Sequence, residues 1–426
     1  MGPVFNRVIG IAGSMESMEN VKMTVENHLG TKISWEKVEA HEQELLHKIK
    51  SAHLDGKSKN AGYWQKSYLT SYDARLIATR KAFTAIKPKH RPPISKLPAI
   101  ASSLNARCGT QEKVGVLWKA KKSNIHQFRP VMAFGIENRA LQYLTGAAIA
   151  ARADLHPMQF AVNGGRDAAV QRACEALASG FIYVAEMDIQ NCYSSFNGKK
   201  IQALLPIPKE VTEKVVLSQF LNLYPLDQWS QSWDDPDVIE IMFGDDLAEA
   251  RQGIAQGSAV SSIVAEIVLA PVLANIPKKG VALAYADNIL LMAKNAEDAV
   301  SMNIALRDLL IAHPAGPLKL KKPKVYKPGQ SVDFLGYRLR SQGGKYDIEP
   351  TSENLKKFKT RFSRDLKQLQ SKGQDVKFKK KTTLRLKQYV MSWSGAFALW
   401  SGAVKHRKIH MENLECVLSS LEKNAS

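Results

Sequence analysis

Two short apolar runs separated by a polar turn, in the segment VALAYADNILLMAK at residues 281–294, constrain this chain more than any other feature. Both runs are β-prone, and a polar pair between two such runs predicts a hairpin. The carboxylate of Asp287 would lie at the tip of this hairpin, beside Asn288. Asp-Asn is also ordinary turn chemistry, so the hairpin alone does not define the role of Asp287.

A second aspartate indicates a role for the aspartate of this hairpin. The apolar run FIYVAEM at residues 181–187 ends directly at Asp188, and Gln-Gly-Ser at residues 256–258 opens an apolar helical pattern between the two aspartates. Because side chains alternate across a strand, Glu186 and Asp188 should share one face of a sheet. If this strand pairs with the hairpin, Asp188 and Asp287 lie close together.

Two such carboxylates are suited to one kind of chemistry. Phosphoryl transfer to a growing strand requires two divalent ions held roughly 4 Å apart, one at the 3′-hydroxyl and one at the triphosphate. Mg²⁺ prefers hard oxygen ligands, which carboxylates from two adjacent strands can provide. The order of strand, helix and hairpin therefore predicts the palm of a nucleic-acid polymerase.

Charge and composition favour the same class of partner. Sixty Lys and Arg against forty Asp and Glu give a net charge of +20, which favours a polyanion, either nucleic acid or an acidic membrane surface. No apolar run approaches the roughly 20 residues that span a bilayer, so we expect nucleic acid and no membrane. The cysteines form no Cys-x-x-Cys pair, which favours reduced thiols in a cytoplasmic protein over zinc or disulfides. They are Cys108, Cys174, Cys192 and Cys416.

The motifs resemble those of reverse transcriptases, and specifically of the bacterial group II intron, retron and defence-associated enzymes. The resemblance covers about residues 115–340. It is carried in order by Arg129-Pro130 followed by Asn138-Arg139, the loop at 160–166, Asp188-Ile-Gln-Asn-Cys-Tyr193, Gln256-Gly257-Ser258, Ala284-Tyr285-Ala286-Asp287 and Phe334-Leu335-Gly336.

This resemblance implies a role for each matching residue. Asp188 and Asp287 would bind two Mg²⁺ ions, or Mn²⁺, with help from the Ile189 carbonyl, and the substrates would be deoxynucleoside triphosphates (dNTPs). Tyr193 would be the steric gate against a ribose 2′-hydroxyl. The remaining nucleotide-site residues would be Gln256 and Gly257, which shape the pocket, Arg129 at the triphosphate, and Lys324 as a candidate general acid. Generic phosphate contact is the alternative for Arg129 and Lys324.

Three positions depart from the family pattern. Asn288 and Asn138 stand where the family usually has aspartate, and Ala259 replaces a common proline. A neutral amide at Asn288 weakens the negative potential but still offers a carbonyl oxygen near the catalytic site. We expect a metal site that is thinned rather than abolished, with a catalytically impaired protein as the alternative.

The expected fold is α+β with the right-hand polymerase architecture. It would comprise a helical N-terminal extension at 1–95, fingers at 96–180, a palm with an antiparallel sheet at 181–345 and a helical, basic thumb at 346–426. An acidic segment at 200–250 would be inserted in the palm. Nucleic acid would contact Arg166, Phe334, Leu335 and Gly336 and the thumb residues Lys356, Lys359, Arg361 and Arg364.

Local patterns predict several further elements. Strands are expected at 114–121 and 128–132, helices at 168–177 and 298–311, and a basic strand at 318–324. In the helix at 298–311, Val300 and Ile304 should widen the apolar stripe of Met302, Leu306 and Leu310. Thr351 is the expected helix N-cap.

Gly-Asp-Asp at 244–246 resembles a carboxylate turn but precedes Gln-Gly-Ser, which is the wrong order for one. Residues 61–100 mix basic and aromatic side chains, which suits either RNA contact or a solvated helical face.

The function that these features predict is RNA-directed DNA synthesis, with a structured non-coding RNA copied into cDNA. The enzyme would be of the stand-alone, defence-associated type, with class 2 as the expected type, and without endonuclease, RNase H or integrase segments. The alternatives are an RNA-dependent RNA polymerase, a template-independent nucleotidyltransferase and a non-catalytic RNA-binding scaffold. Tyr193 argues against ribonucleotide use.

Overall fold

The computed structural model describes residues 32–121, 124–226, 247–342, 345–372 and 375–423. Its α-helices are α1 Trp35–Leu54, α2 Ser58–Thr70, α3 Tyr72–Ala85, α4 Leu97–Ser103, α5 Ile136–Ala150, α6 Gly165–Ala178, α7 Cys192–Ser195, α8 Gly198–Leu204, α9 Lys209–Val211, α10 Ser261–Asn275, α11 Ala296–Ile311, α12 Ser352–Lys372, α13 Val376–Ala396 and α14 Ala403–Lys423. Its strands are β1 Val114–Lys121, β2 Asn124–Ala133, β3 Tyr183–Asp188, β4 Leu223–Pro225, β5 Gly280–Tyr285, β6 Asn288–Ala293, β7 Lys324–Tyr326, β8 Val332–Phe334, β9 Tyr337–Gln342 and β10 Lys345–Pro350. This mixture of helix and sheet is the expected α+β class.

The central sheet has the strand order β5-β6-β3-β7, and all of its pairings are antiparallel. In the register of β3 against β6, Asp188 lies opposite Asn288. The alternation in β3 is as predicted, because Met187 and Ile189 are buried in one core while Val184 is buried in another. The hairpin and the strand that ends at Asp188 are therefore neighbours in one sheet.

Helices and a second sheet cover the two faces of this central sheet. On one face, Val264 of α10 and Met302 of α11 pack against Leu291 of β6. On the other face, Val170 of α6 packs in the core that includes Leu290. Both faces are thus buried by apolar side chains, which leaves the polar end of the sheet, at Asp188 and the hairpin tip, as the place for chemistry.

The sheet β2-β1-β4 combines two strands that precede the palm in the chain with one, β4, that follows β3. β1 and β2 match the two expected strands and pair with each other antiparallel, but β1 also pairs in parallel with β4, a strand inside the inserted segment at 200–250. A strand of three residues has too little alternation to be recognised in the sequence. Residues 227–246, which belong to the inserted acidic segment and include the Gly-Asp-Asp at 244–246, lie outside the described residues.

The N-terminal helices share a core with α5. Leu45 of α1 and Tyr68 of α2 are buried in one cluster with Leu141 and Leu144 of α5. The side chain of Gln65 also donates a buried hydrogen bond of 3.0 Å to the Ala148 carbonyl. Apolar packing therefore crosses the domain boundary that the sequence suggested near residue 95.

The thumb is a bundle of α12, α13 and α14 around buried residues such as Phe358, Leu386 and Leu414. Thr351 acts at the start of α12 as predicted, since its Oγ1 accepts a hydrogen bond of 3.4 Å from the Asn354 amide. The β-sheet β10-β9-β8 precedes this bundle in the chain. None of the helices in the described ranges is long and apolar enough to cross a membrane.

Two local predictions were wrong. Val300 and Ile304 do not widen the apolar stripe of α11, because they are 58% and 56% exposed while Met302 is buried. The expected strand at 318–324 is largely irregular, and β7 begins only at Lys324. In both cases the residues have the right composition, but tertiary packing decides which of them the core accepts.

Candidate active site

A cavity of about 540 Å³ opens at the polar end of the central sheet. Both aspartates that the sequence singled out, Asp188 and Asp287, line it. The other lining residues come from β2, the segment around α7, the loop before α10 and the segment before β7. They are Arg129, Pro130, Met132, Ile189, Asn191, Cys192, Tyr193, Ser194, Glu249, Ala250, Gln252, Ile254, Gln256, Asn288 and Lys321.

Asp287 is presented by a tight turn between β5 and β6. The preceding residue, Ala286, has a φ of 52°, a left-handed conformation that a residue with a side chain seldom adopts. Burial raises the pKa of Asp287, and the negative charge of Asp188 raises it further, while Lys321 and Arg129 oppose the shift. The two carboxylates are therefore close enough to repel each other, as a cation site requires.

Lys321 forms an ion pair with one of these carboxylates. Its Nζ lies 2.8 Å from Oδ2 of Asp188. The backbone fixes this contact, because the Lys321 amide donates a hydrogen bond of 2.9 Å to the Asp188 carbonyl and the Gln190 amide donates one of 2.7 Å to Lys319. The chain before β7 is thus fastened to the end of β3, which places the lysine at the carboxylates.

Lys324, which the sequence suggested as a general acid, lies elsewhere. Its Nζ is 3.7 Å from Glu186 and 3.9 Å from Asp333, and it does not line the cavity. Lys324 belongs to β7, so its ammonium follows the strand and reaches the carboxylate of Glu186, which precedes Asp188 by two residues. Its catalytic role stays a prediction, and the lysine that the structure brings to the cavity is Lys321.

The residues present fit a pair of Mg²⁺ or Mn²⁺ ions held through oxygen. Asp188 and Asp287 offer carboxylates on one cavity, and Ile189, whose side chain is buried, can contribute only its backbone carbonyl there. Among the described residues no group of three or more His, Cys, Asp or Glu could hold a metal ion. The oxygen ligands that line the cavity here include the carboxylates of these two aspartates and the backbone of Ile189.

Asn288 supports the carboxylate beside it. Its side-chain amide donates a hydrogen bond of 3.5 Å to Oδ1 of Asp287. An aspartate at this position would add a third negative charge where the structure has a weak donor. The amide therefore contacts the carboxylate without adding a charge beside it.

Tyr193 forms a wall of the cavity, and two glycines hold the loop around it. The Tyr193 carbonyl accepts a hydrogen bond of 2.9 Å from Ile254, and a side chain on Gly253 would collide with the same carbonyl. Gly257, with a φ of +105°, approaches β2 so closely that a Cβ would lie 2.7 Å from the Met132 carbonyl oxygen. The Gln256 carbonyl accepts a hydrogen bond of 2.8 Å from Met132, so the predicted pocket residues Gln256 and Gly257 join the palm to β2.

The strand–helix unit that carries Arg129 contains an unexpected carboxylate. Arg129 extends from β2 into the cavity lining. In α5, the buried Asn138 donates hydrogen bonds of 3.1 Å to both the carbonyl and the carboxylate of Glu112. Burial raises the pKa of Glu112 despite these contacts. Glu112 thus places a carboxylate beside residue 138, where the family pattern usually has an aspartate.

The residues predicted to bind nucleic acid lie in different environments. Arg166 packs against the rings of Tyr337 and Phe397, at 4.8 and 5.2 Å, and pairs with Asp167 at 3.2 Å. Phe334 is only 1% exposed, so its side chain supports the turn and cannot itself contact nucleic acid. Leu335 and Gly336, with φ of 49° and 87°, form that turn.

The four thumb residues lie on the outer face of α12. Phe358 and Phe362 of the same helix are buried, whereas the basic residues between and beside them are exposed. Arg361 also lies over the ring of Tyr389, 4.3 Å from its centroid. The exposed basic residues are Lys356, Lys359, Arg361 and Arg364.

Comparison with known proteins adds the following. Residues 119–339 match the family described as reverse transcriptase (RNA-dependent DNA polymerase). Similar solved structures include a telomerase from Candida albicans in complex with a TWJ fragment of telomeric RNA, with 12% identity and a TM-score of 0.34, over 74% of this chain and 66% of that one. Another is an apo telomerase from Candida tropicalis truncated from its C-terminal domain, with 10% identity and a TM-score of 0.35, over 57% and 55% of the two chains. No curated protein matches the sequence.

Proposed function

The chain belongs to the reverse transcriptase family, whose members are RNA-directed DNA polymerases, and on that premise we propose that it copies RNA into DNA in the cavity lined by Asp188 and Asp287. The observation that carries the proposal is the meeting of these two aspartates at one end of the central sheet. Burial and the negative charge of Asp188 both raise the pKa of Asp287, which suits a site that receives cations.

In this proposal Asp188 and Asp287 hold two Mg²⁺ ions, with the Ile189 carbonyl as a further ligand. When bound, the ions would activate the primer 3′-hydroxyl and neutralise the triphosphate of the incoming dNTP. Arg129 and Lys321, which line the same cavity, supply positive charge for the triphosphate. The Asn288 amide lies beside the Asp287 carboxylate as a weak hydrogen-bond donor.

Tyr193 selects the sugar. Tyr193 lines the cavity and its backbone carbonyl is held by the hydrogen bond from Ile254, which supports the prediction that it fills the space of a 2′-hydroxyl. The variant Tyr193→Ala should therefore accept ribonucleotides more readily. The check is a comparison of kcat/KM for matched dNTP and ribonucleotide pairs; unchanged selectivity would place the discrimination elsewhere.

The finer proposal concerns the template and its use. We propose that the template is a structured non-coding RNA, and that its cDNA serves anti-phage defence in the cytoplasm. Support comes from the net charge of +20 and from the resemblance to defence-associated enzymes. Sequencing the nucleic acid that co-purifies with the protein tests this directly; random cellular RNA without cDNA would contradict it.

The decisive experiment measures primer extension on an RNA template in Mg²⁺ and in Mn²⁺. Asp188→Ala and Asp287→Ala should abolish incorporation while RNA affinity and thermal stability persist. Asp308→Ala, which removes an exposed aspartate of α11 that does not line the cavity, is the matched control and should retain full activity.

Two results would overturn the proposal. If either cavity variant retains a tenth of the wild-type rate, the two aspartates do not hold the ions. If the wild type is inactive with both metals while it still binds RNA, the protein is the non-catalytic scaffold.

A further inference from the structure

Glu266 is a buried carboxylate at the centre of an apolar helix. It is the only charged residue of α10, whose sequence is SSIVAEIVLAPVLAN, and it is 0% exposed. Burying a carboxylate is costly unless hydrogen-bond donors surround it. The contacts of Glu266 therefore indicate what the rest of the structure requires of it.

Backbone amides from two separate segments converge on this carboxylate. Oε1 accepts a hydrogen bond of 2.6 Å from the Ala161 amide, and Oε2 accepts one of 3.1 Å from Val162. The backbone of Ala286 hydrogen-bonds to the same carboxylate. In addition, the Glu266 carbonyl accepts a hydrogen bond of 2.6 Å from the side chain of Gln159.

One of these segments is the turn that presents Asp287. Ala286, with its φ of 52°, is the residue directly before Asp287, and this conformation persists only where the surroundings enforce it. The other segment is the loop before α6. It is also joined to β5, since Ala284 accepts a hydrogen bond of 3.0 Å from Phe160 and donates one of 2.9 Å to Met158.

We propose that Glu266 is a positioning residue that fixes the Asp287 turn and the loop at 159–162 relative to each other. The proposal rests on the proposed function, because it assigns Glu266 the task of holding one metal-binding aspartate in place. A carboxylate suits this task because it only accepts hydrogen bonds, whereas an amide would direct an N–H group towards one of the three backbone donors.

The surroundings of Glu266 allow its charge state to be tested as well. Burial raises the pKa of Glu266 to about 7, against the opposing effect of the three backbone amides. Tyr193 of α7 and Tyr285 of β5 are the titratable side chains that sense its charge, and the pKa of each is raised above the ordinary range, mainly by burial. Both phenols stay neutral near pH 7, so neither adds a change of charge beside the carboxylate between pH 6 and pH 8.

The first test is amide hydrogen exchange, which needs no catalytic activity. In Glu266→Gln, exchange should speed up at least tenfold in segments 159–163 and 284–288, while the thumb helices exchange as in the wild type. Glu266→Asp, which keeps the charge but shortens the side chain, should show a smaller increase. The matched control is Glu297→Gln, at an exposed residue of α11, which should leave both segments unchanged.

The second test is kinetic. Outer contacts at metal sites typically contribute about 10–100-fold to activity, so kcat in Glu266→Gln should fall by that factor with little change in KM for dNTP. The wild-type rate should also rise with pH through about 7, as the carboxylate ionises. Glu266→Gln should lack this rise, which a merely destabilised protein would retain.

The outcomes separate this inference from the proposed function. Unchanged exchange in both segments, in an active wild type, would overturn the positioning role and leave the polymerase intact. Faster exchange in a wild type without polymerase activity would uphold the positioning role and refute the function. If Glu266→Gln does not fold, Glu266→Asp and the exchange of the wild type at pH 6 and pH 8 decide the question. Identical exchange in those two comparisons, after correction for intrinsic rates, would then overturn it.

Discussion

Replacing Gly253 by alanine tests how the loop before α10 supports the sugar-selecting tyrosine. Gly253 has a φ of +60°, and a Cβ there would overlap the Tyr193 carbonyl oxygen and lie 3.0 Å from the Ser194 Cα. The left-handed backbone should cost about 1–2 kcal/mol for an L-residue. Moving two backbone segments apart should cost a further 1–3 kcal/mol or so. We therefore expect Gly253→Ala to lower the free energy of unfolding by about 2–5 kcal/mol.

A second glycine separates these two effects. Gly329 has a φ of +83°, but no atom lies within 4 Å of the place that its Cβ would occupy. Gly329→Ala should therefore incur only the backbone cost, about 1–2 kcal/mol. Urea unfolding of the two variants gives the comparison, and dNTP-against-ribonucleotide selectivity gives the functional readout.

The expected result is a larger loss of stability in Gly253→Ala together with weaker sugar selection, because the displaced carbonyl belongs to Tyr193. Equal losses in the two variants would show that the collision relaxes freely. Unchanged selectivity with the larger loss would show that the loop does not position the tyrosine ring.

Three further outcomes are expected. Asn138→Asp should lower stability by about 2–4 kcal/mol, since at a buried position it replaces a donor to the half-buried Glu112 by a like charge. Protonation favours the folded state when a carboxyl pKa is raised, so this loss should shrink as pH falls from 8 to 5, as measured by thermal unfolding. Asn288→Asp should keep activity and lower the Mg²⁺ concentration for half-maximal rate; an equal Mg²⁺ dependence would refute its placement at the metals. Neutralising the exposed thumb residues should flatten the salt dependence of RNA binding by a few units of slope, whereas an unaltered slope would remove α12 from the interface. The residues to change are Lys356, Lys359, Arg361 and Arg364.

The two aspartates could be predicted from the sequence because alternation and strand ends are local properties. In a strand of period two, the position of Asp188 relative to Met187 and Ile189 follows from the burial pattern alone. The antiparallel register that sets Asp188 opposite Asn288 then completes the prediction. This part of the site was recognisable because the apolar pattern is strong and involves residues that are close together in the sequence.

The supporting residues could not be predicted in the same way. Lys321 and Lys324 stand in one basic run, and only the backbone hydrogen bonds between residues 188–190 and 319–321 decide which of them reaches Asp188. Glu112 and Asn138 meet across 26 residues of chain, which no local pattern indicates. Glu266 did leave a signal, a single charge in an apolar helix, but its partners come from two distant turns.

The core shared by α1, α2 and α5 has a consequence for how the protein unfolds. α5 has contacts on two sides. Leu141 packs against the N-terminal helices. The side chain of Gln142 accepts a hydrogen bond of 3.0 Å from the Ala259 amide, next to the cavity loop. Removing α1 and α2 would expose the side of α5 that packs against them. It would also weaken the contact between α5 and the cavity loop. A chain shortened to begin at Leu97 should therefore not melt as a smaller, intact polymerase. We expect its fingers to lose their cooperative unfolding transition. We also expect the shortened chain to aggregate through the exposed face of α5.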